Sequence, residues 1–189
     1  VKHVDDTTWQ HFKNELVDRD PDFHLIGESW GANYKDTKGD LGIGTMDSLL
    51  DFGFKDIAKY LVNGQLKAAG KELEERSKVL TSAASLGQFL GSHDEDGFLY
   101  SLGGAEKEGN LDKLKLAASL LITAKGQPVI YYGEELGQSG QNNWPVYDNR
   151  YDFDWSKVET SDIEDHYQKL LAFRNGNSTL LSRSDTTTL

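Results

Sequence analysis

Two rhythms of apolar residues alternate along this 189-residue chain. Trp9, Phe12 and Leu16 recur at helical spacing and predict a helix over 8–18, with Thr7 and Gln10 resembling a capping box at its start. Asp20-Pro21-Asp22 ends it, and Phe23–Gly27 then reads as a short strand. A polar loop with Gly31, Gly39, Gly42 and Gly44 leads to Met46–Phe52, a second strand of poor period. Ile57 and Leu61 predict a short helix, and Leu73, Leu80 and Ala84 a longer one over 73–84. Gly87–Gly91 is a third strand. Asn110 is placed to cap a helix carrying Leu111, Leu114, Ala118 and Leu121 on one face, with Gly126 as its stop. Pro128–Tyr132 is a continuous apolar run, the pattern of a parallel strand covered on both faces. After a long aromatic and polar loop, 133–160, Ser161 and Glu164 form a second capping box ahead of Ile163, Tyr167, Leu170 and Leu171. Beyond Gly176 the chain is rich in Ser and Thr and is expected to lead to another domain.

Four strands alternating with helices give an α/β fold with a parallel sheet. A doubly wound sheet stays open as an alternative, although no strand runs into a glycine-rich phosphate loop. The length suits one domain with a sizeable core. No apolar run reaches the ~18 residues of a membrane span. Val1-Lys2-His3-Val4 is not a signal peptide and lacks an initiator Met, so the chain reads as beginning inside a larger protein. Any export signal is then expected upstream, with an extracellular or cell-surface location.

Composition narrows the chemistry. A formal net charge of -11 argues against nucleic-acid partners and against an anionic membrane surface, and leaves a neutral substrate unpenalised. Simple solubility also accounts for it. The absence of cysteine excludes disulfides and thiolate metal sites, and no His-x-x-x-His spacing suggests a catalytic zinc. Acidic residues recur where strands end: Glu28 after the first, His93-Asp94-Glu95-Asp96 after the third, Glu134-Glu135 after the fourth. C-terminal strand ends are the active face of a (β/α)8 barrel. Two carboxyls flanking a sugar bond, one protonated and one ionised, perform glycoside hydrolysis. The plainer alternative is that acids ahead of helices only meet the helix dipole. His93 is either a hydrogen-bonded structural residue or a substrate ligand. Trp30, Tyr34, Tyr100, Trp144, Tyr147 and Tyr151 either stack on sugar faces or pack the loops.

Taken in order, Val1-Lys2-His3-Val4, Phe23–Glu28, Phe89–Asp94 and Pro128–Gly137 resemble four motifs of the α-amylase family of retaining glycosidases. The resemblance implies the C-terminal half of a (β/α)8 TIM barrel, roughly strands five to eight, over 1–176, with 177–189 as an exit segment. It implies Glu28 as the general acid/base and Asp94 as the stabiliser of an oxocarbenium-like transition state. His93, Lys2, His3 and Trp30 are the substrate-binding residues it implies, and the backbone carbonyl of His3 a ligand of structural calcium; no organic cofactor is expected. The family nucleophile is an aspartate three residues before the Lys2 position, so its place falls upstream of Val1, as does the N-terminal half of the barrel, the chain's expected partner. The isolated chain is therefore expected not to cleave starch or pullulan. Ser92 stands where the fourth motif often has Asn. The substrates implied are α-1,4-linked glucans; 140–153 also resembles amylopullulanase-like members, which keeps α-1,6 debranching open beside transglycosylation and a non-catalytic barrel relative.

Overall fold

The computed structural model describes residues 1, 3–35, 46–80 and 85–183. Lys2, the glycines at 39, 42 and 44, the helix end expected at Ala84 and the last residues of the Ser/Thr-rich tail lie outside the described residues. Helix α1 (Asp6–Val17) leads to β1 (Ile26–Gly27), then β2 (Ser48–Asp51), α2 (Phe54–Val62), α3 (Leu66–Val79) and β3 (Ser85–Gln88). The short α4 (Phe98–Ser101) and the longer α5 (Asn110–Thr123) precede β4 (Gln127–Pro128), and α6 (Asp162–Gly176) and α7 (Ser178–Arg183) close the described chain.

The sheet has the order β1-β2-β3-β4, with every pairing parallel. Ile26 lies opposite Ser48, Leu49 opposite Leu86, and Gly87 opposite Gln127. Because side chains alternate along a strand, Leu49 and Leu86 turn outward into a buried cluster with Ile57 and Leu80. Leu50 and Val129 turn the other way and converge on Gly87, where a Cβ would meet them at 3.4 and 3.2 Å. A larger cluster joins Phe54 and Ala58 of α2, Leu114, Ala118 and Leu121 of α5, and Ile163 and Tyr167 of α6. The result is an α/β layer with helices packed on one face of a parallel sheet. No described helix is long and apolar enough to cross a membrane.

Several expectations change in detail. The first helix is capped by Asp5, whose carboxylate accepts from the Thr8 amide at 2.9 Å and from the Thr8 hydroxyl, so Thr7 and Gln10 do not form the box. No residue of its apolar stripe is fully buried, although Trp9 packs against the cluster around Leu49. Asn110 is not a cap either. Gly109, at φ 78°, fills that position without a side-chain bond, and Asn110 is buried, donating to the carbonyls of Leu102 and Gly104. Leu111 is exposed. Leu80 is buried, but as an extended residue just past α3. The paired strands are shorter than the apolar runs that predict them, and Val129–Tyr132 is only partly covered rather than buried on both faces. The second capping box holds in half: Ser161 accepts from the Glu164 amide, whereas the Glu164 carboxylate turns back to the Glu159 amide. Residues 178–183, expected as an exit segment, are helical.

Buried charge fixes the helices to the sheet. Arg174 donates to the carbonyls of Ile122, Ala124 and Gly126, satisfying acceptors that α5 leaves open at its C-terminus. Arg76 of α3 reaches Asp51 at the end of β2 at 2.8 Å and Gln88 at the end of β3 at 2.9 Å.

Candidate active site

All four strands release their chains on the same side of the sheet. There a pocket of about 160 Å³ is lined by Glu28 after β1, Leu50 and Phe52 around the end of β2, Gly91-Ser92-His93 after β3, and Val129–Tyr131 after β4. Glu28 and His93, both singled out from the sequence, therefore share one cleft. Asp94 is not part of the lining. It stands beside His93, with its Oδ2 3.2 Å from His93 Nε2. Both side chains are open to a ligand, His93 at 63% and Asp94 at 38% exposure. Trp30 is exposed and leans on Phe52, ring centroids 4.9 Å apart, which sets it at the rim. The Val1 nitrogen donates to the Glu28 carbonyl at 2.7 Å, bringing the first residues alongside β1. His3 is exposed in the turn that follows and does not line the pocket.

Residues that carried no role in the sequence hold this cluster. Arg150 spans it, with Nε donating to the His93 carbonyl at 2.9 Å and Nη2 to Asp94 Oδ1 at 3.1 Å. The guanidinium also lies 3.8 Å from the centroid of the Tyr147 ring. Asn149, fully buried, donates to the carbonyls of Ser92 and Glu95. Asn142 donates through its side chain to the Asp94 carbonyl and through its backbone to the Asp96 carboxylate, both at 2.7 Å. The loop after β4 thus binds the loop after β3 through three side chains. Gly140 lets the post-β4 loop fold tightly on itself, since a Cβ there would lie 2.0 Å from the Asp148 carbonyl oxygen, and its carbonyl accepts from the Gly97 amide at 2.9 Å.

A second buried layer lies below. Glu134 is enclosed and accepts from the Tyr167 hydroxyl at 2.6 Å. Burial pushes its carboxyl up to about 8, against the pull of that hydrogen bond. Burial also raises Glu95 and lowers Lys55, each opposed by the other's charge. The aromatic residues divide. Tyr34 is buried and bonded to Glu72, and Tyr151 bonds the backbone of Tyr132 and Gln138, so these two pack loops. Trp30, Tyr100 and Trp144 stay exposed.

A family model described as the alpha amylase catalytic domain matches residues 4–182. The chain belongs to the alpha-amylase family. Among its relatives, neopullulanase 2 of Thermoactinomyces vulgaris is 29% identical over 93% of this chain and 29% of its own length. An amylopullulanase of Thermoanaerobacter thermohydrosulfuricus is 31% identical over 91% of this chain and 13% of its own. The crystal structure of an Anoxybacillus alpha-amylase superimposes with a TM-score of 0.74 at 27% identity, over 95% of this chain and 39% of that one. The chain thus spans less than a third of the length of these two curated relatives.

Calcium can be tested against the residues of this alpha-amylase-family chain. The ion takes six to eight oxygens. Among the described residues no group of three or more His, Asp or Glu side chains could hold a metal ion. The described side chains by themselves supply no such set around the His3 carbonyl.

Proposed function

We propose that the protein carrying this chain is a retaining hydrolase of α-linked glucans, and that these residues form the C-terminal half of its (β/α)8 barrel. The observation that carries the reading is the single cleft at the strand ends, where Glu28 and His93 meet and where Asp94 is fixed behind His93 by Arg150. In this reading the Glu28 carboxyl protonates the leaving glycosidic oxygen and later takes a proton from the incoming water. Asp94, hydrogen-bonded by the Arg150 guanidinium, faces the positive charge that develops on the sugar ring. His93 donates to sugar hydroxyls at the cleavage point. Trp30 at the rim, with Lys2 and His3, serves the leaving-group side. The nucleophile that completes a double displacement belongs, by resemblance, to the position three residues before Lys2, so we expect no turnover from this chain by itself.

Relatives named neopullulanase and amylopullulanase favour pullulan as a substrate to test beside amylose. The experiment is Glu28→Gln in the intact protein, assayed on both polymers. Hydrolysis should fall by about a thousandfold or more while maltooligosaccharide binding is retained. Unchanged turnover removes Glu28 from the mechanism. Products from the unmodified protein, panose or maltotriose or linear maltodextrins, separate α-1,4 from α-1,6 cleavage.

A further inference from the structure

We propose that Trp144 and Tyr147 form an outer glucan-binding platform of the same cleft, a proposal that rests on the α-glucan reading above. Trp144 is 81% exposed, the most exposed of the large apolar side chains described, with Val146 beside it. An indole in water is unfavourable by the area it shows, yet this one is held out on a braced loop. Asn149 N donates to the Gln141 carbonyl at 3.0 Å and Tyr147 N to the Asn143 carbonyl at 2.7 Å. Asn143 and Asp148 exchange two further bonds of 2.8 Å each. The base of the loop is tied to 92–96 by Asn142, Asn149 and Arg150.

Tyr147 adds an independent sign. Its φ is 53°, a left-handed conformation that a bulky side chain adopts only under constraint. In that conformation its ring meets Trp144 edge-to-face, centroids 5.7 Å apart, and lies against Arg150 on its other contact. A continuous series of contacts therefore runs from an exposed indole through Tyr147 and Arg150 to Asp94. The strain is retained where it aligns an aromatic surface with the candidate reaction centre.

The chemistry of the surface selects the ligand. Around Trp144 the loop is polar: Gln141, Asn142, Asn143 and Asp148. An exposed indole with amides nearby in the loop suits a glucose ring, which has an apolar C–H face and a rim of hydroxyls. A protein partner calls for a wider contiguous apolar patch. The proposal requires that a long glucan extending from the bond at His93 and Asp94 meets the indole and that a short one does not.

The test measures dissociation constants of maltotriose and maltoheptaose by calorimetry on the intact protein, in a Glu28→Gln background so that neither sugar is consumed. Trp144→Ala should weaken maltoheptaose about three- to tenfold more than maltotriose, and Trp144→Phe should restore most of the difference. An equal effect on both sugars, or none, overturns the platform. A change in self-association with unchanged sugar affinities also overturns it, in favour of a protein contact. Hydrolysis by the unmodified protein is followed in parallel. Trp144-dependent binding without any hydrolysis keeps the platform and removes the hydrolase reading; hydrolysis without Trp144-dependent binding does the reverse. Absence of binding to either sugar removes both.

Discussion

Asp94 owes its orientation to a residue 56 positions away in sequence. Arg150 gives it a guanidinium hydrogen bond on one oxygen, while His93 faces the other. Arg150→Ala should lower kcat on α-glucans by about ten- to a hundredfold, with a smaller change in KM, because misplacing a transition-state group by an ångström costs that much. Arg150→Lys should recover part of it, since an ammonium cannot reproduce the two-pronged contact with His93 and Asp94. Steady-state kinetics with maltoheptaose check both. Glu134 invites a different measurement. Its carboxyl titrates near 8 in the folded chain and near the ordinary 4.5 when unfolded. Between those values the folded state keeps a proton that the unfolded state has lost. The stability this represents is present below about pH 4.5 and is lost as pH rises through 8. Glu134→Gln keeps an acceptor for Tyr167 and has nothing to ionise. Its melting temperature should match the parent's near pH 4.5 and exceed it at pH 8, by an amount equivalent to a few kcal/mol. A parallel pH dependence in the two proteins refutes the assignment.

Among the elements, α1, α2, α5 and α6 were legible, whereas α3 starts at Leu66 rather than at Leu73, α4 and α7 were not expected, and the strand lengths were not legible. Leu114, Ala118 and Leu121 predict α5 because burial on one side of a helix imprints its period on the chain. A strand's length depends on how far its neighbour runs beside it, which is not a local property, and this is why Pro128–Tyr132 reads as five residues and pairs over the first of them only. The caps failed for a related reason: Thr7 and Asn110 have the right chemistry, but Asp5 and Gly109 sit where the chain turns. Glu28 and His93 could be found because strand ends are visible in the sequence. Arg150, Asn142 and Asn149 lie in 140–153, which the resemblance marked, but their bracing role could not be read, since their partners are 46 to 57 residues away. Lys55 and Arg76 do leave a trace, as charged residues on the buried sides of α2 and α3. Arg76 joins α3 to β2 and β3, so its loss acts on all three. Arg76→Leu leaves Asp51 buried without its cation and should cost about 3–5 kcal/mol. Adding Asp51→Asn should recover part of that loss, which thermal denaturation of both variants will measure.

For the molecule as a whole, β1 and β4 are the edge strands among the described residues. Ile26 of β1 is 52% exposed, and Tyr132 after β4 is also exposed. Those flanks are where the remainder of the proposed barrel would close. By contrast, α2, α5 and α6 bury one another's apolar faces among the described residues. Cohesion is therefore uneven: strong on the helical side, and at the cleft dependent on two loops meeting.

That meeting has a consequence for the order of events in folding. Contacts between the sequence-adjacent α2 and α3 form early, whereas the bonds from Asn142, Asn149 and Arg150 close loops of 46 to 57 residues and bring their reward only after the intervening α5 and β4 are in place. The proposed catalytic arrangement is then a late acquisition, and by the same reasoning an early loss. On heating, glucan hydrolysis should disappear several degrees below the midpoint of helix melting, and it should return last on cooling. Activity and circular dichroism that vanish together would show instead that the two loops fold as one unit with the helices.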